Sequence, residues 1–259
     1  MVLITVTIAL QWDTKIVDKP IPDPYTTKVS QGTFLIDIMK KAADEDVKGP
    51  FNKYSTTYYG GTGDFVIAMD GIEQDPANNL YWMIRDKQTG NLTPTGIDQY
   101  QPQDGSTTVF SYEETGKRKR SQWSFFCFIV NEMGQMITVT IALHWDTKIV
   151  DKPIPAPYTT KVPQGTFLID IVKKAANEDK EGPFNRYSTT YYGGTGEFVI
   201  AMDEVEQDPA NNLYWMIRDK QTGNLTPTGI DQYQPQDGST TVFSYEESGK
   251  SHHERLTRG

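Results

Sequence analysis

"ITVTIALQWDTKIVDKPIPDPYTTKV", Ile4–Val29, returns later in the chain as "ITVTIALHWDTKIVDKPIPAPYTTKV", Ile137–Val162. The offset is 133 residues, and the correspondence continues without a gap from Ile4–Gly116 to Ile137–Gly249. Only about a dozen positions differ, most of them mildly, as in Lys53/Arg186, Asp64/Glu197, Met39/Val172 and Ile72/Val205. So long a period is not that of a solenoid, whose units run to about 20–50 residues. The chain is one domain-sized unit written twice. The expected organisation is copy 1 over 1–116, a connector over 117–136, copy 2 over 137–249 and a disordered tail over 250–259.

The repeat also settles how "MVLITVTIAL" reads. Alone it could pass for the core of a signal peptide, but "ITVTIAL" recurs at Ile137 inside the chain, so it is a domain strand. No export signal is therefore visible. The net charge of -9 over 259 residues argues against a nucleic-acid partner. Each copy is acidic, whereas the connector and tail are basic. No stretch approaches the roughly 20 apolar residues of a membrane span. A single cysteine, Cys127, excludes an intramolecular disulfide framework and a multi-cysteine zinc site.

Within one copy, "ITVTIALQW" alternates β-branched and apolar residues as a half-buried strand does. "DKPIPDPY" holds too many prolines for a central strand and reads as loop or edge. After the short strand "TTKV", the run "SQGTFLIDIMKKAADE" reads as a helix. Phe34, Ile38 and Ala42 share its apolar face with Leu35 and Met39, Thr33 is its expected N-cap, and Gly49-Pro50 is its stop signal. "YSTTYY" and "DFVIAM" read as strands around the glycine turn "GGTG". "LYWMIRD" and "STTVFSYEE" complete the set. The expected fold class is α+β, with two tandem β-grasp-like domains, each of about five strands and one helix.

Several landmarks occur together in a fixed order: "TTKVSQGTFLIDIMKKA", "PFNKYSTTYYGG", the Tyr81-Trp82 strand, and the ending "LTPTGIDQYQPQDGSTTVFSYE". Together they resemble the C-terminal β-domain of the cobalamin carriers, the family of intrinsic factor, transcobalamin and haptocorrin. The resemblance covers nearly all of each copy, while the helical-barrel domain of the carriers has no counterpart here. It implies a secreted, extracellular protein with a small-molecule ligand, cobalamin being one candidate, and no required cofactor. In the carriers the β-domain contributes a glycine-turn hairpin and an aromatic on the next strand. By position, the resemblance carries that role to Thr57, Tyr58, Tyr59, Gly60, Gly61 and Trp82 in copy 1. In copy 2 the matching residues are Thr190, Tyr191, Tyr192, Gly193, Gly194 and Trp215. Tyr-Tyr stands here where the carriers are more varied.

Each of these residues also has a plain structural reading. "YYGGTGD" lacks the lysine of a phosphate loop, and no helix follows it, so a hairpin turn with left-handed glycines is the default. Tyr58 and Tyr59 face opposite sides of a strand, one into the core and one outward. Trp82 and Trp215 stand in strands, where tryptophan is more often core than ligand-facing. Trp12 and Trp145 close the first strand of each copy and read as edge packing. "DGIEQDPANN" lacks calcium-loop spacing, and copy 2 replaces its Gly71 with Glu204. Asp13, Asp18, Asp98 and Asp104 form no pairing that would support acid–base work. The one domain histidine, His144, aligns with Gln11, so a shared histidine mechanism is excluded. Asn91 and Asn224 fit the N-glycosylation tripeptide as Asn-Leu-Thr, each tripeptide followed by a proline, Pro94 or Pro227.

The sequence thus points away from an enzyme and toward a non-catalytic ligand-binding module. The alternative is an extracellular structural or adhesion protein whose tandem domains supply valency for protein–protein contacts. The connector "GKRKRSQWSFFCFIVNEMGQ" begins where the two copies stop matching. Gly-Lys can be encoded GGT-AAG, which contains the usual start of an intron. "FFCFIV" is what a thymine-rich tract yields in translation, and Gln135 can be CAG. Connector and tail are therefore expected to be translated intron. A basic processing site at Lys117–Arg120 and an apolar patch docking on a domain are the rival readings.

Overall fold

The computed structural model describes residues 2–115 and 135–248. Cys127, the basic run of the connector and the tail lie outside the described residues. The chain divides into two compact units centred on the two copies.

Copy 1 runs β1 (Leu3–Trp12), β2 (Tyr25–Ser30), α1 (Leu35–Glu45), β3 (Lys53–Tyr59), β4 (Gly63–Met69), β5 (Ile72–Glu73), β6 (Leu80–Asp86) and β7 (Thr107–Glu114). A single 3-10 turn, Pro76–Asn78, precedes β6. Copy 2 repeats the order as β8 (Met136–Trp145), β9 (Tyr158–Pro163), α2 (Leu168–Glu178), β10 (Arg186–Tyr192), β11 (Gly196–Met202), β12 (Val205–Glu206), β13 (Leu213–Asp219) and β14 (Thr240–Glu247).

The expectation of an α+β, β-grasp-like unit of about five strands and one helix is corrected by these elements. Each copy holds seven strands, and among the described residues strand makes up 43% and helix 12%, so the protein is mostly β. The physical reason lies in short elements. A two-residue strand such as β5 shows no alternation, so nothing in its composition separates it from the turn before it.

The first sheet of copy 1 has the order β2-β1-β7-β6. β1 pairs antiparallel with β2 and parallel with β7, aligning Thr7 with Thr107 and Trp12 with Tyr112. The period of two seen in "ITVTIALQW" is realised in full. Ile4, Val6, Ile8, Leu10 and Trp12 are buried, while Leu3, Thr5, Thr7, Ala9 and Gln11 face the other way. The buried row joins Leu35, Ile38, Met39 and Ala42 of α1, with Trp82, Ile84 and Phe110, in one core cluster. A second set of strands, β3-β4-β5, follows the helix as an antiparallel meander.

Two helix expectations need correction. Thr33 does not cap α1; its hydroxyl donates to Ser30 O at 2.7 Å, and the N-cap position is Phe34, with no side-chain bond. The first-turn N–H groups are satisfied from another segment instead. Leu35 N donates to Tyr100 O at 2.8 Å, and Ile36 N donates to Ile97 O at 3.0 Å. Phe34 itself is exposed rather than on the apolar face.

Trp12 is not at an edge. It is buried, its indole N–H donates to Lys19 O at 2.8 Å, and its ring meets Trp82 edge-to-face. Lys19 in turn reaches Asp70 in the β4–β5 turn, bonding its backbone O at 2.8 Å and its carboxylate at 2.6 Å. That turn needs two left-handed residues: Asp70 (φ 52) and Gly71 (φ 74) in copy 1, Asp203 (φ 50) and Glu204 (φ 63) in copy 2.

Candidate functional site: the glycine-turn hairpin

β3 and β4 align Thr57 with Phe65, Tyr58 with Asp64 and Tyr59 with Gly63, after a register shift at Ser55/Thr56. Thr57 and Tyr58 are buried, and Tyr59 is 39% exposed at the strand end. Tyr59 and Phe65, diagonal neighbours across the pair, meet edge-to-face with centroids 6.0 Å apart. In copy 2, Thr190 and Tyr191 are buried, Tyr192 is 41% exposed and Phe198 is exposed.

The turn is closed by Thr62, whose N–H and hydroxyl both donate to Tyr59 O at 2.9 Å. Gly61 (φ 77) and Gly63 (φ 97) supply the left-handed steps, with Gly60 between Tyr59 and Gly61 only part-exposed. Behind the turn stands Gly96–Asp98. Asp64 N donates to Asp98 Oδ1 at 2.8 Å, Ile97 N donates to Asp64 O at 2.9 Å, and Gly96 N donates to Thr62 O at 3.3 Å. The approach is so close that a Cβ on Gly96 would lie 2.6 Å from Asp64 N, and one on Gly63 2.5 Å from Asp98 Oδ1.

Copy 2 repeats this brace. Glu197 N donates to Asp231 Oδ1 at 2.8 Å, Ile230 N donates to Glu197 O at 2.8 Å, and Gly196 has φ 99. Gly194 (φ 76) matches Gly61, and Gly193 matches Gly60. The same loop that braces the hairpin also caps the helix, through Ile97 and Tyr100. "TPTGID" therefore has a bracing role that its sequence does not announce. Its signal was a glycine between two threonines and a carboxylate, with no strand or helix of its own.

Trp82 and Trp215 are not brought to this hairpin's exposed end. Both are 6% exposed. Trp82 Nε1 donates to Ile72 O at 3.0 Å, and its ring lies 5.3 Å from that of Tyr112. Trp215 Nε1 donates to Val205 O, with Trp145 and Tyr245 as its ring neighbours. Each indole N–H is spent on a strand carbonyl inside its own unit. The hairpin therefore offers Tyr59 and Tyr192 rather than the tryptophans as exposed aromatic surface.

Most of the carboxylates considered for chemistry hold turns. Asp13 accepts from Lys15 N, Asp98 from Asp64 N and Asp104 from Thr5 N, each at 2.8 Å. Asp75, which a calcium reading would need, caps the 3-10 turn by accepting from Asn78 N and Nδ2. The Asn78 bonds hold its carboxyl below the usual range. Asp18 is exposed. Among the described residues no group of three or more His, Cys, Asp or Glu side chains could hold a metal ion. Asn91 and Asn224 are exposed, but Thr93 of the first tripeptide is buried and its hydroxyl donates to Thr95 O at 3.2 Å. Among the described residues no helix is long and apolar enough to cross a membrane.

Comparison with known proteins gives a distant resemblance. Residues 32–114, within the first copy, match a family described as "Domain of unknown function (DUF4430)". No curated protein sequence matches the chain. Among solved structures the chain is similar to haptocorrin in complex with Cbi, at 14% identity and a TM-score of 0.35. That similarity covers 46% of this chain and 27% of haptocorrin, so this chain spans about a quarter of the carrier's length. It is also similar to a protein from Ruminococcus gnavus ATCC 29149 to which metal binding has been ascribed, at 15% identity and a TM-score of 0.31. There the similarity covers 43% of this chain and 98% of the other.

Proposed function

We propose that each copy is a non-catalytic, extracellular binding module that meets a small ligand at its glycine-turn hairpin, with cobalamin as the candidate the sequence resemblance implies. The observation that carries this reading is the pairing of an exposed aromatic with a braced turn. Tyr59 stands exposed beside a turn whose backbone is held from behind by Gly96–Asp98, and Tyr192 is the matching exposed ring of copy 2. A rigid turn with an aromatic beside it loses little conformational freedom when a ligand lands on it. The engagement of Asp13, Asp98 and Asp104 in turns supports the non-catalytic part.

Calorimetric titration of cyanocobalamin into the full chain tests it. Saturable binding is expected, weakened about three- to tenfold in the Tyr59→Ala/Tyr192→Ala double variant, since an aromatic contact contributes about 0.5–1.5 kcal/mol. Absence of saturable heat in the unaltered protein would refute the cobalamin assignment and favour tandem domains that bind another protein.

A further inference from the structure

We propose that copy 2 carries a separate site for a neutral, hydroxyl-rich ligand of the saccharide class, in a glutamine-lined cleft at one end of its four-stranded sheet. The cleft encloses about 310 Å³ where β8 begins and β9 ends, opposite the loop that leads into β14. That volume is at the small end of ligand pockets, which suits a mono- or disaccharide better than a large flat cofactor.

Its walls are Gln135, Gln164, Gln234 and Gln236 with Asp237, and Ile137 and Pro235 supply a buried apolar floor. A carboxamide offers two N–H donors and one acceptor oxygen, and an ionised carboxylate offers acceptors alone. Among the described residues no lysine, arginine or histidine lines the cleft, so an anion would find no partner charge there. Gln236 Nε2 already donates to Gln234 O at 3.4 Å, but an apolar ligand would strip water from the other three carboxamides without replacing their hydrogen bonds. Asp237 is already half-engaged, because its Oδ1 accepts from Thr138 N at 2.8 Å, which makes it a poor lone receptor for a cation. Hydroxyl groups suit this set, since each one both donates and accepts. The C–H face of a sugar ring suits the Ile137–Pro235 floor.

The frame is fixed on both sides. Gln164 N donates to Gln135 O at 2.7 Å, Gly238 N to Thr138 O at 2.8 Å and Ser239 N to Gln236 O at 3.1 Å. The repeat supplies an internal control. Every lining position has the same residue in copy 1, as Gln31, Gln101, Gln103 and Asp104 show, except that Val2 stands where copy 2 has Gln135. Copy 2 therefore has one more carboxamide than copy 1, and it is expected to bind the more tightly.

Saturation-transfer NMR on the full chain tests this with methyl glucoside, methyl galactoside, methyl mannoside, maltose, cellobiose and lactose as probes. At least one sugar should show saturable transfer. The Gln164→Ala/Gln234→Ala variant should weaken its binding at least tenfold, and Gln135→Val about threefold or more. These side chains are exposed, and an unchanged circular dichroism spectrum will show that each variant is folded. Transfer from none of the six probes, or transfer that the double variant leaves intact, overturns the proposal. Tyr59→Ala/Tyr192→Ala should leave the sugar signal unchanged, so this test is independent of the cobalamin titration.

Discussion

Replacing Glu204 by glycine should stabilise copy 2. Glu204 is a non-glycine residue at φ 63 in a turn where copy 1 places Gly71 at φ 74. A side chain in the left-handed region costs about 1–2 kcal/mol. The Gly71 position has nothing within 4 Å of an added Cβ, so the cost is local backbone strain and not collision. Two terms oppose the gain. Glycine loses more backbone freedom on folding, about 0.5–1 kcal/mol. Glu204 also sits 3.4 Å from Lys152 Nζ, but its side chain is 80% exposed, and such pairs contribute about 0–1 kcal/mol. Lys152 keeps its bond to Asp203 O at 2.7 Å in either case. The expected net effect of Glu204→Gly is a gain of about 0.5 kcal/mol at low salt, rising toward 1 kcal/mol near 1 M salt, where the screening length falls to about 3 Å. Urea unfolding of the full chain at low and high salt measures both values. A lower midpoint for the variant at both salt concentrations would refute the strain assignment.

Two further perturbations address the brace and the helix. Gly96→Ala places a methyl group 2.6 Å from backbone Asp64 N, so it should destabilise copy 1 by about 1–3 kcal/mol. Gly90→Ala, also glycine-specific at φ 71 but with open space around it, should cost about 1 kcal/mol; equal losses in urea melts would remove the case for a brace. Tyr158 is pushed up to about 12, first by burial and then by its hydrogen bond to Glu178. With the folded value above the unfolded value of about 10, this contribution is present in full below pH 10 and is lost as pH rises toward 12. Tyr158→Phe should therefore be less stable than the parent below pH 10, with the difference closing as pH rises toward 12, and urea melts that show a difference independent of pH would rule out that linkage.

Much of the local structure could be read from residues because its cause is local. The alternation of "ITVTIALQW" became the buried row Ile4 to Trp12, and "GGTG" became a turn with left-handed Gly61 and Gly63. What could not be read depends on partners distant in sequence. Thr33 has the chemistry of an N-cap, yet the first-turn amides of α1 go to Ile97 and Tyr100 carbonyls more than 60 residues away. A tryptophan in a strand reads as core before ligand, and Trp82 follows that reading although the family resemblance carried a ligand role to it. Its burial rests on Ile72, Trp12 and Tyr112, which come from three other strands. At the hairpin, strand alternation gives that one of Tyr58 and Tyr59 faces outward, but not which one. Phe65 beside Tyr59, and the glycine brace behind it, follow from cross-strand register, which the turn alone does not specify.

The parallel pairing of β1 with β7 has a consequence for how the chain finds its fold. Thr7 must wait for Thr107, about 100 residues later, before the centre of its sheet can close. "TTVFSYEE" is the sequence of both β7 and β14, so β1 meets two chemically identical candidates. Since side chains cannot tell them apart, chain length must. A loop of about 233 residues closes only some three- to fourfold less favourably than one of about 100, a difference below about 1 kcal/mol. The near-exact duplication thus leaves strand choice to the order of synthesis and to proximity, with a narrow entropic margin separating the right partner from its twin.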